Sequence, residues 1–258
     1  MTIIDSVVLG IVEGVTEFLP ISSTGHLILA SSLLGVAQND FTKTFEIAIQ
    51  LGAILAVVAL YWRSFFNIEL VKRLIAAFIP TGIIGLALYK ILKTYLLGNE
   101  LVVLAALFLG GVVLIAFERL SGAREDTPAS TQDTPLTYRQ AILIGFAQAV
   151  AIIPGVSRSG ATIVGGLALG IKRTTIVEFS FLLAVPTMLA ATGLDLLKTS
   201  AAFSGHEWLM LAIGFIVSFI VALPVVRWLL SYVRTHSFTS FGIYRILLSL
   251  VFALFLFF

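Results

Sequence analysis

Cysteine is absent from the 258 residues. That excludes thiol nucleophiles, disulfides and cysteine-ligated metals. Charge is scarce as well: Lys, Arg, Asp and Glu together make up 12% of the chain, where a soluble domain carries about a quarter. No basic cluster is interleaved with aromatics, so nothing points to nucleic acid. The first ten residues hold no Lys or Arg. They lack the basic region of a cleaved signal peptide, so the first hydrophobic segment is expected to stay in the protein. Long hydrophilic stretches are limited to one, at 119–137, which reads as a loop and not a domain.

What fills the chain instead is apolar. Hydrophobic residues make up 59% and the mean hydropathy is +1.07, the composition of a polytopic membrane protein. The net charge of +2 and the pI near 9.0 fit Lys and Arg held in cytoplasmic loops. Six runs, at roughly 45–62, 74–92, 101–118, 176–197, 207–230 and 241–258, are long enough to span a bilayer as helices. Pro80, Pro186 and Pro224 fall inside them and predict kinks, which membrane helices tolerate. Trp62, Trp208 and Trp228 lie near span ends, as interface anchors do. His206 and His236 are placed similarly.

Two further segments, about 5–36 and 138–171, fit poorly as simple spans. They are diverged copies of each other. GIVEGVTEFLPISSTGH at 10–26 aligns with GFAQAVAIIPGVSRSG at 145–160 when shifted by 135 positions, pairing Gly10 with Gly145, Glu13 with Gln148, Ser22 with Ser157 and Gly25 with Gly160. Each is an apolar half-helix, a break of Pro, Gly and hydroxyl residues, and a second apolar half-helix. Irregular backbone at membrane depth survives only where protein or a water-filled cavity covers it. Both therefore read as re-entrant hairpins, with tips at 20–25 and 154–160. The fold class expected is an all-α integral membrane protein of two repeats, 1–118 and 138–258, joined by the cytoplasmic loop 119–137. Each repeat is one hairpin plus three spans. Three is odd, so the repeats should be inverted and the tips should meet near the midplane.

Lys and Arg counts give the orientation. One side carries Lys43, Lys90, Lys93 and Lys198. The other carries Arg63, Lys72, Arg73, Arg119, Arg124, Arg139, Lys172, Arg173, Arg227 and Arg234. The richer side is expected to be cytoplasmic, with both termini and the mouth of the first hairpin facing outward. Arg158 sits at a tip, and Arg245 lies just inside a span.

Charge inside lipid is expensive and is retained for function. Glu13 and Glu17, four residues apart, share a helix face. Ser22, Ser23 and Thr24 offer caps to the next half-helix, which carries His26 in its first turns. A helix N-terminus suits phosphate. Ser157, Arg158, Ser159 and Thr162 repeat the arrangement, and Arg158 adds a fork of donors matched to phosphate oxygens. Acids, a hydroxyl nucleophile and an imidazole at one tip, with an anion clamp at the other, suit phosphoryl transfer. Each residue also has a plainer reading. The two acids could sit in buried ion pairs, the hydroxyls could serve only as caps, His26 could be a hydrogen-bonded core histidine, and Arg158 could be a snorkelling anchor. Lys43, Glu46 and Gln50 either line a cavity mouth or cap a span, and Glu178 and Asp195 are equally open. A transporter of an anionic lipid uses inverted repeats and a midplane site too, but has less need of two acids beside a Ser and a His. An intramembrane Ser–His protease would leave Arg158 without a role.

The paired motifs EGVTEFLPISSTGH at 13–26 and PGVSRSGAT at 154–162 resemble the two signatures of bacterial undecaprenyl-diphosphate phosphatases of the bacitracin-resistance type. KTFEIAIQLG at 43–52 resembles that family's first full span. The likeness covers essentially the whole chain. It implies an integral inner-membrane hydrolase, open to the periplasm, that converts undecaprenyl diphosphate to the monophosphate carrier of peptidoglycan synthesis and so confers bacitracin resistance. It implies a divalent cation, Mg2+ or Ca2+, and a homodimer among membrane lipids. It assigns catalysis to Glu13, Glu17, Ser23, His26 and Arg158, and surrounds the diphosphate with Ser22, Thr24, Ser157, Ser159 and Thr162. Glu13 and Glu17 are equally candidates to hold the cation, since hard cations prefer carboxylate oxygens. Either Ser23 attacks phosphorus, with His26 or Glu17 as base, or Glu17 and His26 activate a water.

Overall fold

The structure, a computed structural model, describes residues 1–91, 96, 99–120, 136–199 and 203–257. Most of the 119–137 loop therefore lies outside the described residues, with Arg124 in it, as do Lys93 and the side chains of Lys90, Asp195 and Lys198. The described residues form helices and turns. In order the helices are α1 (Ile3–Thr16), α2 (Ser23–Leu33), α3 (Asp40–Tyr61), α4 (Ile68–Ile91), α5 (Glu100–Leu120), α6 (Tyr138–Ala149), α7 (Arg158–Ala168), α8 (Arg173–Thr199), α9 (Gly205–Tyr232) and α10 (Thr239–Phe257).

Over the described residues all six predicted runs are helical, and α4, α8 and α9 continue through their prolines. Among the described residues, five helices are long and apolar enough to cross a membrane. The sixth run, α10, is apolar but shorter over the residues with described side chains. Large apolar side chains such as Leu86, Leu101, Ile220 and Leu250 stand exposed on the outside, where lipid accommodates them. This is a multi-pass membrane protein. Trp62, Trp208 and Trp228 are also exposed.

Both expected breaks are present, and local chemistry explains them. α1 stops at Thr16, because a proline ring clashes with the carbonyl four residues back and Pro20 would meet that of Thr16. In the second copy, a short 3-10 turn, Val150–Ile152, follows α6. Ile153 is then extended, with φ −71° and ψ 121°, as the residue before a proline prefers. α1 and α6 begin with the same device. Thr2 and Thr137 each accept from the backbone N–H three residues on, and Asp5 and Gln140 accept back from the cap, a capping box at each start.

α1 packs along α9 and α6 along α4. α3 lies against both α8 and α9, and α5 against α10. The helix starts are tied as well. Tyr138 Oη donates to Glu69 Oε2 at 3.0 Å where α6 and α4 begin, and His206 Nε2 lies 3.3 Å from the Met1 carbonyl where α1 and α9 begin. Close approach needs small residues. A Cβ on Gly10 or Gly14 would fall 2.7 Å from the carbonyl oxygens of Gly214 or Ser218 on α9. At Gly145 a Cβ would strike the Ala77 backbone, while Thr81 donates to the Gly145 carbonyl at 2.8 Å. Gly145→Val should force α6 off α4 and cost about 1–3 kcal/mol, as overpacking does, read as a lowered melting temperature in detergent. An unshifted melting curve would mean that the contact is not tight.

Candidate active site

The two tips meet. Each second half-helix starts at a serine N-cap in a left-handed conformation, Ser22 with φ 72° and Ser157 with φ 74°. They are the only non-glycine residues with positive φ among the described residues. Such backbone costs about 1–3 kcal/mol and persists where the surroundings over-determine it. Each hydroxyl accepts from the backbone N–H three residues on, Ser22 from Gly25 at 3.3 Å and Ser157 from Gly160 at 3.1 Å. The 135-position offset seen in sequence is thus a repeat of backbone and cap.

Glu17 joins the tips. Ser23 Oγ donates to Glu17 Oε2 at 2.5 Å, and Arg158 Nη2 donates to Glu17 Oε1 at 2.7 Å. The ion pair is buried on both sides. Arg158 Nη1 donates to the Ser180 carbonyl at 2.9 Å, and the guanidinium lies over Phe18, 5.9 Å from the ring centroid. Its Nε–H is buried without a partner. Beneath it, Phe18 meets Phe181 edge to face at 5.1 Å.

Glu13 is fully buried, and both its oxygens lack hydrogen-bond partners. The charges acting on it are those of Glu17, Arg158 and Glu46. Glu46 is itself buried and accepts from Ser31 and Gln38 at 2.6 and 3.2 Å. Gln148, the counterpart of Glu13, is neutral and donates to the Thr81 and Thr187 hydroxyls at 3.0 and 3.1 Å. One half thus carries an acid where the other carries an amide.

A small cleft of about 70 Å³ lies between the tips, lined on one side by Glu17, Ser22, Ser23 and Thr24 and on the other by Pro154, Ser157 and Arg158. Six of the ten sequence-derived candidates therefore face it. The other four sit behind it. Glu13 is beneath, and Ser159 Oγ donates across to the Leu19 carbonyl at 2.8 Å. Thr162 Oγ1 lies 3.0 Å from the Arg158 carbonyl and 2.5 Å from Ser180 Oγ. His26 turns away: Nδ1 lies 2.7 Å from the Ser22 carbonyl and Nε2 2.8 Å from Tyr244 Oη. A carbonyl only accepts, so Nδ1 carries a proton, and in the neutral ring Nε2 accepts from Tyr244.

Gln50, left open between mouth and cap, lines the cleft together with Met188. Two residues that sequence reasoning did not place in the site are Tyr244 and Arg245. Arg245 is buried and bonded to both tips. A lone charge inside an apolar run was the signal that could have found it.

Among the described residues, no group of three or more His, Asp or Glu is arranged as a metal cage. Mg2+ does not need one, since it is commonly held by one or two carboxylates and the substrate's phosphates. The partnerless oxygens of Glu13 beside Glu17 fit such a cation.

Helical spans around a cleft that joins serines, a carboxylate and an arginine, with a second carboxylate buried behind it, define a membrane-embedded protein equipped to handle an anionic headgroup. Residues 6–251 match the family described as bacitracin resistance protein BacA, and the chain belongs to that family. It is 55% identical to the undecaprenyl-diphosphatase of Aquifex aeolicus over 266 aligned positions, covering 100% of each chain. It is 52% identical to that of Sulfurihydrogenibium sp., over 98% of this chain and 99% of the relative. Against that of Persephonella marina it is 52% identical over 99% of each.

Proposed function

We propose that this protein hydrolyses undecaprenyl diphosphate to undecaprenyl phosphate and inorganic phosphate at the cleft between its tips. Family membership and relatives of that name along the whole chain support the substrate. The observation that carries the chemistry is the Ser23–Glu17–Arg158 chain, in which one carboxylate accepts a hydrogen bond from the serine hydroxyl and another from the arginine. A lipid transporter has no need of the first of those bonds.

In this reading Ser23 Oγ attacks the terminal phosphorus and its proton passes to Glu17. The bond from that phosphorus to the bridging oxygen breaks, and undecaprenyl phosphate leaves. Water then attacks the phosphoserine, its phosphorus–Oγ bond breaks, Glu17 returns its proton to Oγ, and phosphate leaves carrying the water's oxygen and protons. Glu17 is favoured as base over His26 because both imidazole nitrogens have partners elsewhere; His26 holds the Ser22–Ser23 turn. Arg158 and the N-termini of α2 and α7 face the phosphate charge. Ser22 and Ser157 shape those termini, Thr24 borders the headgroup, and Ser159 and Thr162 brace the second tip. Glu13 and Glu17 would hold Mg2+ or Ca2+, which when bound neutralises phosphate oxygens.

The architecture belongs to the same proposal: repeats 1–118 and 138–258, inverted, joined by 119–137. The crossed packing of α1 on α9 and α6 on α4, with each hairpin tied to a different group of helix ends, supports it. With the basic side cytoplasmic, the cleft would serve the periplasmic face of a bacterial inner membrane. The homodimer rests on the family resemblance.

The test is phosphate release from a polyprenyl diphosphate by purified protein, with Mg2+ and with chelator. Release should need the cation. Ser23→Ala should fall about a thousand-fold or more, on the scale of removing a nucleophile, and phosphate should be trappable on Ser23 in wild type. Turnover retained in Ser23→Ala would transfer the attack to a water held by Glu17. No release from folded wild-type protein would sink the phosphatase reading.

A further inference from the structure

Arg245 is 1% exposed in the second turn of α10, and no carboxylate pairs with it among the described ion pairs. A buried charge without a counterion is expensive, and it is tolerated only when its donors are saturated. They are. Nε donates to the Leu107 carbonyl at 3.2 Å, and Nη2 to the Ala106 and Gly155 carbonyls at 2.9 Å each. Nη1 donates to the Pro20 and Val156 carbonyls at 3.1 and 3.0 Å. Guanidinium has five N–H groups, and all five are spent on backbone.

The choice of carbonyls is informative. Pro20 belongs to the first tip, Gly155 and Val156 to the second, and Ala106 and Leu107 to α5, a continuous helix. Prolines and a left-handed glycine deny the tips their own helical hydrogen bonds, so these carbonyls need an outside donor. One rigid planar group supplies it to both tips from a fixed frame. Gly110 on α5 makes the room, because a Cβ there would land on the guanidinium. The preceding residue, Tyr244, reaches His26 on the first tip at 2.8 Å.

We propose that Arg245 is a positioning residue for the reaction. It clamps the two tips to each other and thereby sets the placement of Ser23 and Glu17, on one tip, against Arg158 on the other. Its own side chain does not line the cleft, and it acts through the backbone of the tips. The inference rests on the phosphatase reading for its effect on turnover, but not for its effect on geometry.

Arg245→Lys keeps the charge but offers three donors in place of five. A misplacement of about 1 Å is worth about a hundred-fold in rate. Arg245→Lys should therefore lose about a hundred-fold in kcat per folded molecule, with KM within a few-fold. Gly110→Ala, which keeps Arg245 but crowds it, should move kcat the same way. Because the chain has no cysteine, paired spin labels on cysteines introduced at Thr24 and Ile153 report the tip-to-tip distance directly. In separate labelled samples that distribution should be narrow when Arg245 is present and broad in the Arg245→Lys variant. The proposal is overturned if kcat per folded molecule stays within about three-fold of wild type in both variants. It is equally overturned if kcat is lost while the distance distribution stays narrow. Inactive wild-type protein would sink the phosphatase reading instead, and the distance measurement would still decide the clamp.

Discussion

Glu17→Gln should abolish useful turnover, with kcat about a thousand-fold down or more. Glutamine has nearly the same shape, so the cost isolates charge and protonation. Glu17 accepts two hydrogen bonds, one on each oxygen, from Ser23 and from Arg158. An amide has one oxygen and one NH2 group, so it can accept only one of them and presents a donor to the other. If the oxygen faces Arg158, Ser23 loses its proton acceptor, and a positioned base is worth about a hundred- to ten-thousand-fold. If it faces Ser23, a buried guanidinium loses its counterion, a change that costs about 3–5 kcal/mol. The measurement is single-turnover phosphate release together with binding of a non-hydrolysable diphosphate analogue. Binding should persist while release disappears. Turnover within ten-fold of wild type would remove Glu17 from the chemistry and return attention to His26.

Arg158→Ala should be comparably severe but should fail differently. It removes the one charged donor that faces the cleft from the second tip, so analogue binding should weaken along with kcat. Losing a group that stabilises developing charge costs about a hundred- to a thousand-fold in kcat. The buried Glu17 carboxylate is left facing the headgroup, which adds repulsion. Arg158→Lys should recover little, because one ammonium is a point donor, and the fork now bonds Glu17 and the Ser180 carbonyl together. Arg173 serves as the control: it pairs with Glu118 at 2.9 and 3.0 Å where α5, α8 and the start of α10 meet. Arg173→Lys should change stability and leave KM alone. Equal loss from both arginines would mean that Arg158 matters to folding only.

The hairpins were readable in the sequence because their causes are local. A proline, a glycine and a serine cap act within four residues of themselves, and all three are spelled out at 20–25 and again at 154–160. Glu17, Ser23 and Arg158 were readable as a set because charge and hydroxyls stand out in an apolar chain. Their partnership was not, since it depends on where two tips 135 positions apart come to rest. The directions taken by His26, Ser159 and Thr162 were hidden for the same reason: their partners are the Ser22, Leu19 and Arg158 carbonyls, along with Tyr244 and Ser180. Backbone carbonyls leave no mark in a sequence. Arg245 is the extreme case, a residue whose every bond is to carbonyls. α10 was placed as a span by its apolar run, yet nothing in that run says that it also buttresses the cleft.

The ion pair between Glu17 and Arg158 bears on where such a chain can come from. Each partner belongs to a different copy of the duplicated segment, and the 135-position offset puts Ile152 opposite Glu17 and Arg158 opposite Ser23. A half-length ancestor that paired with itself would have been trapped by its own symmetry. Two first halves would bring four carboxylates together with no cation from the tips. Two second halves would bring two guanidiniums and no serine beside an acid. Only with two copies could one become acidic and the other basic, and once they had, neither could be replaced by its twin. Holding both copies in one chain brings the two unlike sides of the cleft together in every molecule.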